Sequence, residues 1–225
     1  MATTSGRFRV YRVLGAVLHI NLFDVADRRL YSVYQTDYPA PLQSTVDSLA
    51  TGDMIEATVT GDPEAPQEPW RLEAAEREDT ASVDIDFAVG VEYPDVARQT
   101  WERALAEASE EGVVPTGRAL GTQEGDEAAG EVWVQPRDSL PDGGFTPAVA
   151  AGRLPLEPWL ERLPYADAPA EELLAIEASD PDEPVREPYG VFLFFTKAGR
   201  GLADRYRERW DLPRGADSRP DFDPY

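Results

Sequence analysis

The chain has 225 residues, of which 43 are aspartate or glutamate and 21 are lysine or arginine, so its formal net charge is −22 at pH 7. It contains no cysteine, which excludes disulfides, thiolate nucleophiles and cysteine-based zinc sites. His19 is the only histidine, so clustered histidine metal sites are excluded as well. We therefore assign no catalytic residue, no metal site and no cofactor, and regard an enzymatic role as the less favoured one.

Arginine supplies every basic side chain except Lys197. Excess carboxylate with almost no lysine resembles the composition of haloarchaeal cytosolic proteins, whose acidic surfaces stay hydrated in concentrated salt. Self-repulsion of such a charge destabilises the compact state in dilute buffer, whereas in molar salt the Debye length is only about 3 Å. The start MATTSGRF lacks an apolar signal core, and no apolar run reaches the length of a membrane helix. We expect a cytoplasmic protein without membrane association.

Residues 8–76 alternate between strand-like and turn-like segments. FRVYRVL, VLHINLF and RLYSVYQ predict three strands, PLQSTVDSLA a short helix, and DMIEATVTGD and PWRLEAA two further strands. Three strands, one helix and two strands is the element order of an OB-fold, so residues 1–77 resemble that five-stranded barrel in pattern. Since the OB-fold hosts many unrelated functions, this resemblance implies a fold and no activity.

The strands of this half carry arginine and aromatic side chains that are unusual in so acidic a chain. Stacking on aromatic rings and guanidinium contacts to phosphates are what single-stranded nucleic acid requires of a protein surface. We therefore predict a platform for nucleic acid or a protein partner; packing under the second half of the chain is the alternative interpretation of the same aromatics. The predicted contacts are Arg7, Arg9, Arg12, His19, Phe23, Tyr31 and Tyr34.

Residues 78–214 predict a second domain with the order strand, helix, two strands, helix, strand. That order is typical of a ferredoxin-like α+β sandwich, here with an added C-terminal helix. In the first strand, SVDIDFAV, period-two alternation places Asp84 and Asp86 on an exposed acidic face. PLEPWLERL and APAEELLAIE predict short helices, and residues 215–225 a disordered polar tail.

The last strand is followed by the segment TKAGRG at residues 196–201, which opens a helix. Backbone amides at a helix start, together with lysine and arginine, predict an anion site at Lys197, Gly199, Arg200 and Gly201. The spacing resembles the acyl-CoA pyrophosphate loop of N-acetyltransferases, although Thr196 stands where that loop has arginine or glutamine. A strand-to-helix turn that needs small residues is the alternative.

The whole chain resembles the uncharacterised protein families confined to haloarchaea, in composition and in its OB-like order. Two hypotheses follow. The first is a non-enzymatic binding or adaptor protein that contacts single-stranded nucleic acid or a protein partner through the first half. The alternative is a small transferase or phosphate-ligand-binding enzyme that uses residues 196–201.

Overall fold

The computed structural model shows an α+β protein with two mostly antiparallel five-stranded sheets and few helices. It divides into two compact units, Met1–Asp84 with Ala150–Pro155, and Ile85–Val149 with Leu156–Tyr225. The described residues are 1–14, 18–110, 112–121, 127–137, 144–154, 156–177, 188, 190–216 and 218–219. In this part of the chain no helix is long and apolar enough to cross a membrane.

The described residues of the first unit form one sheet and one α-helix. Its elements are β1 (Ala2–Leu14), β2 (His19–Asp24), β3 (Arg29–Tyr34), α1 (Ala40–Asp47), β4 (Met54–Gly61) and β5 (Arg71–Arg77), followed by a 3₁₀ turn at Asp79–Ala81. The sheet order is β3-β2-β1-β4-β5, and each neighbouring pair is antiparallel. The long strand β1 therefore lies at the centre of the sheet, where it pairs with both β2 and β4.

Period-two alternation correctly predicts the core-facing positions of β4, because Ile55, Ala57 and Val59 are all buried. In β3 alternation predicts either Leu30 with Tyr34 or Tyr31 with Val33 as the buried set, and the structure buries Tyr31 and Val33. Apolar side chains from all five strands and from α1 form one cluster. Its buried members are Phe8, Val10, Ile20, Leu22, Tyr31, Val33, Val46, Leu49, Ile55, Ala57, Val59, Trp70 and Leu72.

The two edges of this sheet are linked by a single parallel bridge between Val33 and Trp70. Trp70 N–H donates to Ser32 O at 2.8 Å, and Tyr34 N–H donates to Trp70 O at 3.0 Å. This bridge joins β3 to the residue before β5 without a continuous ladder, so the sheet stays open. The predicted closed OB-like barrel is therefore not confirmed, although the predicted element order is present.

The second unit contains the other sheet. Its elements are β6 (Asp84–Val89), α2 (Asp95–Ala106), β7 (Thr116–Leu120), β8 (Gly130–Gln135), α3 (Phe145–Ala150), α4 (Glu157–Glu161), β9 (Glu172–Glu177), β10 (Gly190–Phe195), a 3₁₀ turn (Lys197–Gly199) and α5 (Arg200–Arg209). The strand order is β6-β9-β10-β8-β7. The helix α2 packs against β7 and β8, and α5 packs against β10.

The predicted ferredoxin-like arrangement is not confirmed, because the sheet has five strands and the first of them lies at an edge. The segment APAEELLAIE, predicted to be a helix, contributes the additional strand β9. Its residues have good helix propensity, but Leu173, Leu174, Ala175 and Ile176 are all fully buried between β6 and β10. A strand covered on both faces lacks the alternation that marks strands in a sequence.

Asp86 does not lie on an exposed acidic face, which corrects the prediction for β6. Its side chain is buried and forms an ion pair with Arg207 of α5, while Asp84 is exposed as predicted. Arg207 also lies 3.2 Å from Glu172 of β9. From the predicted tail, Ser218 Oγ lies 2.8 Å from Asp86 Oδ1. The polar pattern of β6 therefore reflects an internal charge cluster.

Candidate functional site

A group of aromatic rings and one guanidinium group forms an exposed surface on the first unit. The Arg71 guanidinium lies over the Tyr34 ring at 5.4 Å and over the Tyr38 ring at 5.1 Å from their centroids. The His19 ring packs edge-on against Tyr34, with centroids 5.4 Å apart. The three rings are half-buried and Arg71 is exposed, so π-faces and a cation are presented together.

A second arginine lies over two other rings of the first unit. The exposed Arg29 guanidinium lies 5.0 Å from the centroid of the Tyr31 ring and 5.8 Å from that of Trp70. Tyr31 packs edge-on against Trp70 at 4.9 Å, and both rings belong to the buried core. We call the set His19, Tyr34, Tyr38 and Arg71 the aromatic–arginine surface, and Arg29 is not part of it.

Backbone pairing explains why residues distant in sequence meet here. His19 and Tyr34 are register partners on the antiparallel strands β2 and β3. The bridge at Trp70 then brings the next residue, Arg71, beside Tyr34. Arg71 is held further by a 2.7 Å hydrogen bond from its Nη2 to Asp37 O. The position of the guanidinium is thus fixed by the fold.

Tyr38 is tied to the same backbone by its hydroxyl group. This group donates to Tyr34 O at 2.6 Å and accepts from Leu72 N–H at 3.2 Å. Burial raises the pKa of Tyr38, against the opposing effects of the Leu72 hydrogen bond and the Arg71 charge. The phenol therefore stays protonated and keeps its donor at physiological pH.

The predicted contact residues divide by burial. Tyr31, Arg9 and Phe23 are only 4%, 3% and 8% exposed, so their side chains are not on the accessible surface. Arg9 donates to Gly52 O at 3.0 Å and to Ala81 O at 2.7 Å. Its guanidinium therefore has a structural role between two loops, and Phe23 packs edge-on against the buried Tyr11.

The other predicted contacts lie at separate places. Arg7 is exposed and pairs with Glu78 at 2.9 Å, while His19 and Tyr34 belong to the aromatic–arginine surface. Arg12 is in β1, but its side chain lies outside the described residues. Sequence reasoning missed Tyr38 and Arg71, which belong to the aromatic–arginine surface. The sequence pattern could have identified Arg71, because a polar residue between the apolar Trp70 and Leu72 of a predicted strand is expected on the exposed face.

The predicted anion turn in the second unit lies beside a cleft of about 600 Å³ that Thr196, Lys197 and Ala198 line. Lys197 and Arg200 are exposed. Gly199 is buried, and a Cβ at this position would lie 1.8 Å from Ala129 O, so glycine is needed for close backbone packing. Gly201 faces open space. The predicted phosphate or acyl-CoA site stays a prediction.

The described residues contain no group of three or more histidine, cysteine, aspartate or glutamate side chains placed to hold a metal ion. The fold and this surface define an α+β protein with an aromatic and cationic patch on one of two antiparallel sheets. The chain belongs to a family of unknown function, DUF6663, whose pattern matches residues 1–215. No curated protein and no solved structure matches it.

Proposed function

We propose that the protein binds single-stranded nucleic acid through the aromatic–arginine surface, as a non-enzymatic binding protein of a halophilic archaeal cytosol. The observation that carries this proposal is the position of the Arg71 guanidinium over the rings of Tyr34 and Tyr38, with the His19 ring packed against Tyr34. Bases stack on such rings regardless of sequence, and guanidinium groups contact the phosphates between them. In this proposal the first unit is a variant of the OB-like barrel in which the bridge between Val33 and Trp70 stands in place of a continuous ladder between the sheet edges.

The distribution of charge supports the choice of this unit. Residues 1–77 contain 11 acidic and seven basic side chains, so they hold only four of the 22 net negative charges. The whole protein nevertheless repels a polyanion at long range. Added salt screens that repulsion over a few ångströms, whereas stacking and short guanidinium contacts persist. We therefore expect binding that strengthens with salt, opposite to the usual release of counterions.

The test is fluorescence anisotropy with labelled oligo(dT) and oligo(rU), titrated with protein over a range from dilute to molar KCl. Tyr34→Ala should weaken binding by about tenfold or more, since one stacked base contributes roughly 1–3 kcal/mol. Tyr34→Phe keeps the ring and should bind like the wild type. Arg71→Gln should weaken binding. Arg28→Gln is the control: it removes one positive charge from the turn between β2 and β3, and it should change the affinity little.

Three results would count against the proposal. These are no binding to either oligonucleotide at any salt concentration, undiminished affinity in both Tyr34→Ala and Arg71→Gln, or equal losses in Arg71→Gln and Arg28→Gln. Recovery of one protein partner without nucleic acid, from a lysate in molar KCl, would instead make the surface an adaptor site. Variants of Arg9 and Tyr31 are unsuitable because both residues are buried in the first unit.

A further inference from the structure

A cleft in the second unit lies where three chain segments meet around Thr196. Thr196 N–H donates to Ala129 O at 3.0 Å, and Thr196 Oγ1 donates to Ala128 O at 2.9 Å. On the other side, Glu171 N–H donates to Phe195 O at 2.8 Å. These bonds fasten the segment before β8, the segment before β9 and the turn after β10 to one another. The walls of the cleft are therefore fixed by backbone contacts.

A buried carboxylate holds the remaining wall of the cleft. Glu131 is 0% exposed, and its Oε1 accepts hydrogen bonds from Tyr165 N–H and, at 2.8 Å, from Ala166 N–H. Its Oε2 accepts from Trp133 Nε1–H at 2.7 Å. The Tyr165 ring lies 5.9 Å from the Trp133 ring yet is 55% exposed. The hydrogen bonds to Glu131 thus hold the backbone of Tyr165 in place, and the Tyr165 side chain lines the cleft.

The charged groups of the cleft have both signs. Three exposed charged residues line the cleft, namely Glu127, Glu171 and Lys197. In the part of the chain that the structure describes, none of them forms an ion pair. The third carboxylate of the lining, Asp167, is already paired with Arg162 at 2.6 Å. Two carboxylates and one ammonium group are thus available, together with the Tyr165 ring. A net negative cleft with one cation at its wall favours neither a simple anion nor a simple cation.

We infer that this cleft binds a small zwitterion, a ligand that carries one carboxylate and one ammonium group. Lys197 would receive the ligand carboxylate, while Glu127, Glu171 and the Tyr165 ring would receive its ammonium group, since carboxylates and ring faces both attract cations. A phosphate group alone is opposed by the two glutamates, and an amine alone by Lys197. The volume of about 600 Å³ lies in the range of small-molecule sites.

The experiment is a titration of ¹⁵N-labelled full-length protein, followed by NMR at fixed KCl, with four probes. The probes are 6-aminohexanoate, which has both charges, hexylamine and hexanoate, which have one each, and inorganic phosphate. We expect saturable shifts of the amide signals that line the cleft, with 6-aminohexanoate binding at least several-fold more tightly than the other three. Shifts elsewhere in the protein, or equal binding of all four probes, would overturn the inference. Preference for phosphate would overturn it too, in favour of the phosphate site predicted at this turn.

Two variants test the cation and the carboxylates of the cleft independently. Lys197→Met should weaken 6-aminohexanoate binding by about tenfold, as expected for loss of one charge-assisted hydrogen bond, and should leave hexylamine binding no weaker. Arg205→Gln removes an exposed charge from α5, outside the lining, and is the matched control. Glu171→Gln should weaken 6-aminohexanoate and hexylamine and spare hexanoate, with the exposed Glu161→Gln as its control. Undiminished affinity of Lys197→Met for 6-aminohexanoate would refute the assignment.

Discussion

Arg207 of α5 and Asp86 of β6 form an ion pair with side-chain exposures of only 4% and 9%. The carboxylate of Glu172 also pairs with the Arg207 guanidinium, at 3.2 Å. The Arg214 guanidinium lies 2.8 Å from Glu172 and 2.8 Å from Asp204. Although burial opposes its charge, the hydrogen bonds to Glu172 and Asp204 raise the pKa of Arg214. The cluster joins the C-terminal helix of the second unit to two strands of its sheet by charge as well as by apolar packing.

The first prediction concerns this cluster. Arg207→Ala leaves Asp86 and Glu172 buried without their shared partner, so the free energy of unfolding should fall by about 3–5 kcal/mol. Urea titration in concentrated KCl, followed by tryptophan fluorescence, measures this loss. Arg209→Ala is the control, because Arg209 is half-exposed on the same helix and its contact with Glu92 is 3.4 Å long. That change should cost less than about 1 kcal/mol; equal losses in the two variants would contradict the prediction.

The second prediction concerns the carboxylate of Glu131. Glutamine can keep one accepting oxygen, but its amide nitrogen must then face an N–H group, either the Trp133 indole or the backbone at Tyr165 and Ala166. Glu131→Gln should therefore lower the free energy of unfolding by about 1–3 kcal/mol and change the fluorescence of Trp133. Exposed Glu208→Gln should do neither. Unchanged stability in Glu131→Gln would show that the carboxylate charge is not needed there.

The third prediction separates stability from recognition at Tyr38. Tyr38→Phe removes the donor to Tyr34 O and the acceptor of Leu72 N–H, so it should destabilise the first unit by about 1–3 kcal/mol. The ring and its contact with Arg71 remain, and affinity for oligonucleotides should change little under conditions where the variant is folded. Tyr165→Phe, which alters an exposed phenol, is the stability control. A loss of affinity with no loss of stability would contradict this assignment.

The fourth prediction is a dependence on pH. Burial raises the pKa of Asp53, against the hydrogen bond from Ala50 N–H at 2.7 Å and the charge of Arg77 at 3.0 Å. The folded state then holds this proton more tightly than the unfolded chain. The stability that protonated Asp53 contributes is therefore complete below its unfolded pKa of about 3.9 and is lost as pH rises through the raised folded pKa.

Asp53→Asn removes this titration, so the wild type should lose stability relative to the variant as pH rises through that window. Urea titrations of both proteins at closely spaced pH values measure the difference. Asp27→Asn, at an exposed position, should follow the wild type at every pH. A difference between wild type and Asp53→Asn that is constant with pH, or that has the opposite sign, would refute the assignment.

The sequence predicted local features of the fold well where one face of a strand is buried. Ile55, Ala57 and Val59 in β4 illustrate this, because they are buried and alternate with the less buried Glu56 and Thr58. The prediction from sequence was wrong for β9, which is covered on both faces. It was also wrong for the exposure of Asp86, whose partner Arg207 is 121 residues away. A buried ion pair leaves no periodic signal in either of its segments.

The candidate surface was predictable only in part for a related reason. His19 and Tyr34 belong to adjacent strands and follow from the predicted hairpin. Arg71 reaches them through the Trp70 bridge between the sheet edges, a contact that depends on the curvature of the whole sheet. Arg9 was misplaced on the accessible surface because strand alternation does not reveal which outward positions other loops cover. Tyr31 was misplaced because alternation alone does not show which of the two faces of β3 is the core face.

The single lysine gives the turn after β10 a direct biochemical signature. An endoproteinase that cleaves after lysine has one site in this chain, at Lys197, on the wall of the cleft. Cleavage there would separate α5, and with it Arg207, from the strands that carry Asp86 and Glu172. The rate of that one cut, read from two fragments on a gel, therefore reports how readily the turn opens and whether a bound molecule keeps it closed.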